Sequence, residues 1–163
     1  MIGILETILI PQDRIKVIKD RPVKQKIEKT LSVKINFKDN LVEINGEGIE
    51  LFQAKNIVKA IGRGFSPERA FRLFDEEEVL EIIELTGLKD KKMKIIKSRL
   101  IGTKGKTRIS IEECSGCFIS IYGKTLSIIG KYDQINVAKK AINMIIRGSK
   151  HSKVYGFLQQ AKL

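Results

Sequence analysis

Toward the C-terminal end of the chain, Ile135, Ala138, Ile142, Ile145 and Ile146 recur at the spacing of one helix face. Before them, Phe118, Ile119 and Ile121 and then Leu126 to Ile129 are rich in strand formers. Gly123-Lys124 separates the two runs, so together they read as a hairpin. Upstream, Lys106 to Cys114 reads as a helix stopped by Ser115-Gly116. Ser98 to Ile101 reads as a short helix broken by Gly102 and Gly105, and Met93 to Ile96 as a short strand. The predicted order is strand, helix, helix, strand, strand, helix. That order specifies a small antiparallel sheet with helices on one face.

The same pattern occurs twice. At an offset of 84 residues, Ile27-Glu28 falls on Ile111-Glu112, Ile35 and Phe37 on Ile119 and Ile121, and Val42 and Ile44 on Leu126 and Ile128. Gly46 falls on Gly130, Ala54 on Ala138, and Arg63-Gly64 on Arg147-Gly148. Two copies of this length are too few for an array and indicate two tandem domains of one fold. The first copy runs from a strand at Glu6–Ile10 to a helix at Glu50–Ile61. Between the copies, Ser66 can cap a helix and Pro67 suits its first position. Pro67 to Phe74 and Asp75 to Leu85 read as one or two helices, with Ala70, Phe71, Phe74, Val79, Ile82, Ile83 and Leu85 as an apolar stripe. Val154 to Gln160 reads as a short tail helix. The expected division is a first domain at 1–64, a helical insert at 65–87 and a second domain at 88–163.

Composition narrows the setting. The chain has 163 residues, 42% of them apolar and 31% charged, which suits a folded domain rather than a disordered tail. Its apolar runs are far short of the roughly 20 residues needed to span a bilayer. With two Cys and no export signal, a disulfide-stapled secreted domain is not expected and a cytoplasmic location is. The net charge is +12. Residues 1–87 hold 14 Lys and Arg against 15 Asp and Glu, whereas residues 88–163 hold 17 against 4. Lys91 to Arg108 carries eight basic residues and no acid. A solvated Lys-rich face explains such a run by itself, but the asymmetry between halves favours a polyanion-binding surface.

The basic run leads into Gly102-Thr103-Lys104-Gly105. Two glycines three apart let a backbone approach a ligand closely. The helix that follows offers unpaired N–H groups and a positive dipole end to a phosphate. Ile109 or Ile111, with Ile119 and Ile121, can form an apolar floor for unstacked bases. These are the parts of a KH domain, whose GXXG loop clamps about four nucleotides. Gly105-Lys106-Thr107 and Gly123-Lys124-Thr125 are not nucleotide-hydrolysing phosphate loops, because Leu100 and Phe118 stand where that motif needs glycine. The first copy has Ile18-Lys19-Asp20-Arg21 and Pro22 at the loop position. That places an acid in the loop and removes an N–H donor. Cys114-Ser115-Gly116-Cys117 has CxxC spacing but no second pair to complete a zinc site. Asp75-Glu76-Glu77-Glu78, with Glu81 and Glu84, reads as a solvated face, a contact for a basic partner, or a metal-dependent nuclease site. No cofactor or catalytic residue is expected.

Gly64-Phe65-Ser66-Pro67, the loop Arg99 to Arg108, and Ile119-Ser120-Ile121-Tyr122-Gly123-Lys124-Thr125 together resemble the archaeal members of the Pno/Krr pre-ribosomal KH proteins, also called the Dim-two type. The segments His151-Ser152 and Val154 to Leu158 extend that resemblance to the C-terminal end. It implies an α/β (α+β) chain with two tandem type I KH domains, each a three-stranded antiparallel sheet with helices on one face. It also implies a non-catalytic assembly factor for the small ribosomal subunit that binds single-stranded rRNA near the 3′ end. The implied partners are that rRNA, a Nob-type endonuclease and the alpha subunit of translation initiation factor two. Carried onto this chain, the RNA-binding residues are Arg99, Gly102, Thr103, Lys104, Gly105, Lys106, Arg108, Ile119 and Ile121. A protein-interaction scaffold tied to translation initiation, with general RNA binding, is the competing reading.

Overall fold

The computed structural model describes residues 3–162 and divides the chain into two compact units, Met1–Glu76 and Glu77–Leu163. The first contains β1 (Ile4–Leu9), α1 (Gln12–Lys19), α2 (Arg21–Leu31), β2 (Lys34–Lys38), β3 (Leu41–Gly46), α3 (Gly48–Gly62) and α4 (Pro67–Ala70). A single 3-10 turn, Phe71–Phe74, follows α4. The strands form an antiparallel sheet in the order β1-β3-β2, with Ile8 opposite Val42 and Ile35 opposite Ile44. Those four side chains are buried, along with Ile15, Ile18, Ile27, Ala54, Ile57 and Ile61 of the helices. Period-two burial in the strands and helical spacing in the helices thus meet in one core.

The second unit contains β4 (Val79–Glu84), α5 (Asp90–Ile101), α6 (Lys106–Ser115), β5 (Phe118–Tyr122), β6 (Thr125–Gly130), α7 (Tyr132–Ile146) and α8 (His151–Ala161). Its sheet order is β4-β6-β5, again antiparallel. Ile96, Leu100, Ile111, Ile119, Leu126, Ile128, Ile135, Ala138, Ile142 and Ile145 form its core, and Val154 and Leu158 of α8 close it. Each unit therefore has the strand-helix-helix-strand-strand-helix order and three-stranded sheet of a KH fold. Among the described residues, no helix is long and apolar enough to cross a membrane.

Two expected elements are corrected. Met93–Ile96 is not a strand but lies within α5, where Met93, Ile96 and Leu100 are buried at helical spacing. The first strand of the second unit is instead Val79–Glu84, which lies in a stretch expected to be helical. Val79, Ile82 and Ile83 fit helical spacing, but their branched side chains also suit a strand. Pairing with β6, Val79 against Gly130 and Ile83 against Leu126, decides for the strand. The insert expected at 65–87 accordingly has no separate existence. Its first part packs on α3 in the first unit, where the Gln53 side-chain amide donates to the Phe74 carbonyl at 2.8 Å. Its last part is β4. The Ser66 hydroxyl does cap α4, accepting the Arg69 N–H at 3.3 Å.

The repeat extends further than its sequence shows. The 84-residue offset holds from within α2 onward and continues past α3: Pro67 opens α4 and His151 opens α8. It fails only before α2, because β1 and β4 begin 75 residues apart. The second unit has a longer first helix, 12 residues against 8. It also has a longer lead into that helix, and a loop after it where the first unit has only Asp20.

Candidate nucleic-acid interface

The repeated Ile-Glu pair has a structural reason. A carboxylate oxygen of Glu112 accepts the backbone N–H of Ile119 at 2.8 Å and ties α6 to the start of β5. Glu28 does the same for Ile35 at 2.9 Å. Each Glu also faces a cation one turn earlier, Arg108 at 2.7 Å and Lys24 at 3.9 Å. After each helix the chain reverses through a left-handed residue, Gly116 at φ +80° and Ser32 at φ +52°. These fixtures hold the second helix of each unit against its sheet and so fix where that helix begins.

In the second unit the helix begins at the glycine loop. Gly102 ends α5 at φ +76°, ψ 174°, with its N–H donating to the Ser98 carbonyl. Lys104 is left-handed at φ +57°, and Gly105 caps α6 at φ +75°, ψ 11°. No side chain caps α6. Thr103, Lys104 and Lys106 are exposed, and among the described residues they hold no ion pair and no side-chain hydrogen bond. The Gly105 N–H donates to the Gly102 carbonyl at 3.1 Å and the Lys106 N–H to the Thr103 carbonyl, so what the loop offers an anion is the two ammonium groups of Lys104 and Lys106 beside the positive end of α6. Arg108 points the same way along α6 but is engaged with Glu112.

Two of the predicted site residues are not available to a ligand. The Arg99 guanidinium turns inward and donates to the Ile145 carbonyl at 2.6 Å and to the Ser149 carbonyl. The first unit has the same clamp: Arg14 donates to the carbonyls of Ile61 and Phe65, each at 2.8 Å. Because the clamp is present in the copy without the loop, it belongs to the fold. Ile119 is 3% exposed and sits in the core, as does Ile111, so neither forms a floor for bases. Ile121 is half-buried and Ile109 is 41% exposed. The Arg99→Met and Arg14→Met variants each strip two carbonyls of charged donors. Each is expected to destabilise its own unit by about 2 kcal/mol, measured by urea unfolding followed by circular dichroism. The salt dependence of RNA binding should stay unchanged in both.

The sequence reading missed a groove along α5. Asp90, Met93, Lys94, Lys97, Ser98 and Ile101 line it over about 400 Å³, with Asp90 at the end away from the loop. Lys97 reaches the Gly123 carbonyl at 2.8 Å, so α5 and the β5–β6 turn are in contact beside the loop. Lys94, Lys97 or Ser98, and Ile101 lie at helical spacing. Recognising α5 as a helix from Asp90 would have placed them on one face with the loop.

The first unit has no such loop. α1 runs into α2 through Asp20 alone, and Lys19 lies 5.4 Å from the centre of the Phe37 ring. The acidic stretch does not form a metal site, since among the described residues no three His, Cys, Asp or Glu side chains come together. Glu77 and Glu81 instead pair with Lys131 at 3.5 Å and Lys139 at 2.6 Å. Cys117 is buried, and Cys114 and Cys117 form no disulfide. Counted by structural unit, residues 1–76 hold 14 bases and 11 acids, and residues 77–163 hold 17 and 8. Most of the basic excess lies in the second unit, but the asymmetry is smaller than a division at Gly87 makes it.

Residues 79–163 match the Eukaryotic type KH-domain (KH-domain type I), in the form of the second such domain of PNO1 proteins. The chain is 39% identical to the KH domain-containing protein MJ0443 of Methanocaldococcus jannaschii, over 97% of this chain and 74% of that protein. It is 28% identical to the RNA-binding protein pno1 of Ixodes scapularis, over 97% and 73%. The crystal structure of Dim2p from Pyrococcus horikoshii OT3 is similar at a TM-score of 0.90 and 44% identity, covering 96% of this chain and 99% of that one. A complex of a/eIF2alpha, aDim2p and rRNA from the same organism contains a chain similar at 0.91 and 44%, covering 98% and 94%.

Proposed function

This chain belongs to the PNO1/Dim2 family of KH-domain proteins, and from that premise we propose that it is an rRNA-binding assembly factor of the small ribosomal subunit. It holds single-stranded rRNA near the 3′ end through the loop of its second unit. The observation that carries this reading is the start of α6, which no side chain caps, with exposed Thr103, Lys104 and Lys106 around two glycines of positive φ. Phosphates meet the Lys104 and Lys106 ammonium groups at the positive end of α6, while bases lie against Ile101 and Ile121. The residues proposed to bind are Gly102, Thr103, Lys104, Gly105 and Lys106, with Lys97, Ile101 and Ile121. Arg108 takes part only by dividing its charge between the ligand and Glu112.

The proposed partners are the rRNA, the alpha subunit of translation initiation factor two, and a Nob-type endonuclease that cuts the RNA held here. The Pyrococcus complex of a/eIF2alpha, aDim2p and rRNA supports the first two. No catalytic role is assigned to this chain, and its setting is cytoplasmic. The test is a salt titration of binding to a labelled oligonucleotide copied from the 3′ end of small-subunit rRNA. Two or three phosphate contacts predict a slope of about −1.5 to −2 in log K against log salt. A slope near zero, or equal affinity for an unrelated single strand of the same length, would remove the proposal of a specific rRNA site.

A further inference from the structure

The loop is held from behind by the C-terminal helix. Thr107, two residues beyond Gly105, is 2% exposed. Its hydroxyl lies 3.1 Å from the Tyr155 hydroxyl of α8. A Cβ built on Gly102 would fall 2.2 Å from that same Thr107 oxygen, so the first loop glycine rests directly against it. On the other side of the loop, a ring nitrogen of His151 lies 3.1 Å from the Arg99 carbonyl and must donate to it. The His151 and Tyr155 rings stack with centroids 6.2 Å apart. One face of α8 thus touches the chain before the loop and the chain after it.

The first unit provides an internal comparison. At the 84-residue offset, Val23 stands for Thr107, Phe71 for Tyr155 and Pro67 for His151. Val23 is buried as Thr107 is, and Phe71 is half-buried as Tyr155 is. Shape is kept at the first two positions, and at all three the hydrogen-bonding side-chain group is gone. The copy without a glycine loop is therefore also the copy without these three polar side chains, whereas the Arg14 and Arg99 clamp is present in both. Core packing explains the apolar pair but not the coincidence of hydroxyls with the loop.

We propose that Thr107 and Tyr155, backed by His151, are positioning residues that set the conformation of the Gly102–Gly105 loop, making α8 part of the RNA-binding apparatus. The effect on RNA rests on the proposed function of the loop; the effect on loop conformation does not. The experiment converts the second copy to the chemistry of the first in the full chain, with Thr107→Val, Tyr155→Phe and the double variant. Thr107→Ser keeps the hydroxyl as a control. Two readouts are taken: the amide resonances of Gly102 and Gly105, and affinity for the labelled rRNA 3′-end oligonucleotide.

Both glycine resonances should move in each single variant and move no further in the double. Affinity should fall about fivefold in each single variant, as one lost hydrogen bond allows, and about as much in the double. Thr107→Ser should bind as the parent does. Unmoved glycine resonances would overturn the positioning role, whatever happens to RNA. Additive losses in the double variant would also overturn it, because two groups acting through one contact cannot add. If the resonances move and the parent chain binds no RNA, the positioning role stands and the RNA function falls.

Discussion

Replacing Thr103 and Lys104 with Asp is expected to weaken binding to the rRNA 3′-end oligonucleotide about a hundredfold. In the proposed site the loop offers Lys104 and the positive end of α6 to phosphate, and among the described residues the side chains of Thr103 and Lys104 have no protein partner. The double replacement changes the loop charge by three and puts two carboxylates beside the phosphates. Losing one charge-assisted hydrogen bond costs about 1.5 to 3 kcal/mol, and the added repulsion brings the sum to about 3 kcal/mol. That energy corresponds to roughly two powers of ten in Kd. Folding should be little affected, because both side chains are exposed.

The first unit already resembles this variant. Asp20 is the single residue between α1 and α2, so an acid stands where the second unit has its loop. Lys19→Asp should therefore change affinity less than twofold in the same titration. Unchanged affinity in the Thr103, Lys104 variant would remove the second loop from the interface. A large loss in Lys19→Asp would bring the first unit into it.

What could be read beforehand follows from which physical constraints leave a local mark. The hairpin and the last helix of each copy were legible because strand and helix periods are local, and because the 84-residue offset repeats them. Met93–Ile96, with its two branched isoleucines, reads as extended although it lies in α5. The true strand, Val79–Glu84, has apolar spacing that suits either a helix or a strand. Only its pairing with β6, more than 40 residues later, settles the matter. The loop itself was legible because glycine is required where φ is positive. The direction of Arg99 was not: its acceptors lie 46 and 50 residues away, and nothing near Arg99 in the chain distinguishes a clamp from an RNA contact. The matching Arg14 was the available signal, but it stands at an offset of 85, beside the point where the repeat slips.

The two glycines of the loop should respond very differently to alanine. Gly102 has φ +76° with ψ 174°, a region open essentially to glycine alone. A methyl there would sit 2.2 Å from the Thr107 oxygen and 2.8 Å from the Thr107 backbone nitrogen. Thr107 cannot retreat, because it is buried and tied to Tyr155. Backbone strain of about 1 to 3 kcal/mol and a steric cost of similar size add to about 4 kcal/mol. Gly105 is left-handed at φ +75°, ψ 11°, which alanine tolerates at a cost of about 1 to 2 kcal/mol. Its methyl would find nothing closer than Ile109 at 3.9 Å. Gly102→Ala is therefore expected to lower the Tm of the second unit by 10 °C or more and Gly105→Ala by only a few degrees, measured by thermal unfolding. The order should reverse for function at temperatures where both variants are folded. The space above Gly105 is where the proposed site receives a phosphate, so in that site its methyl blocks the ligand rather than the fold. Equal destabilisation by the two substitutions would contradict the placement of Gly102 against Thr107. Full RNA affinity in Gly105→Ala would contradict the approach of the backbone at Gly105.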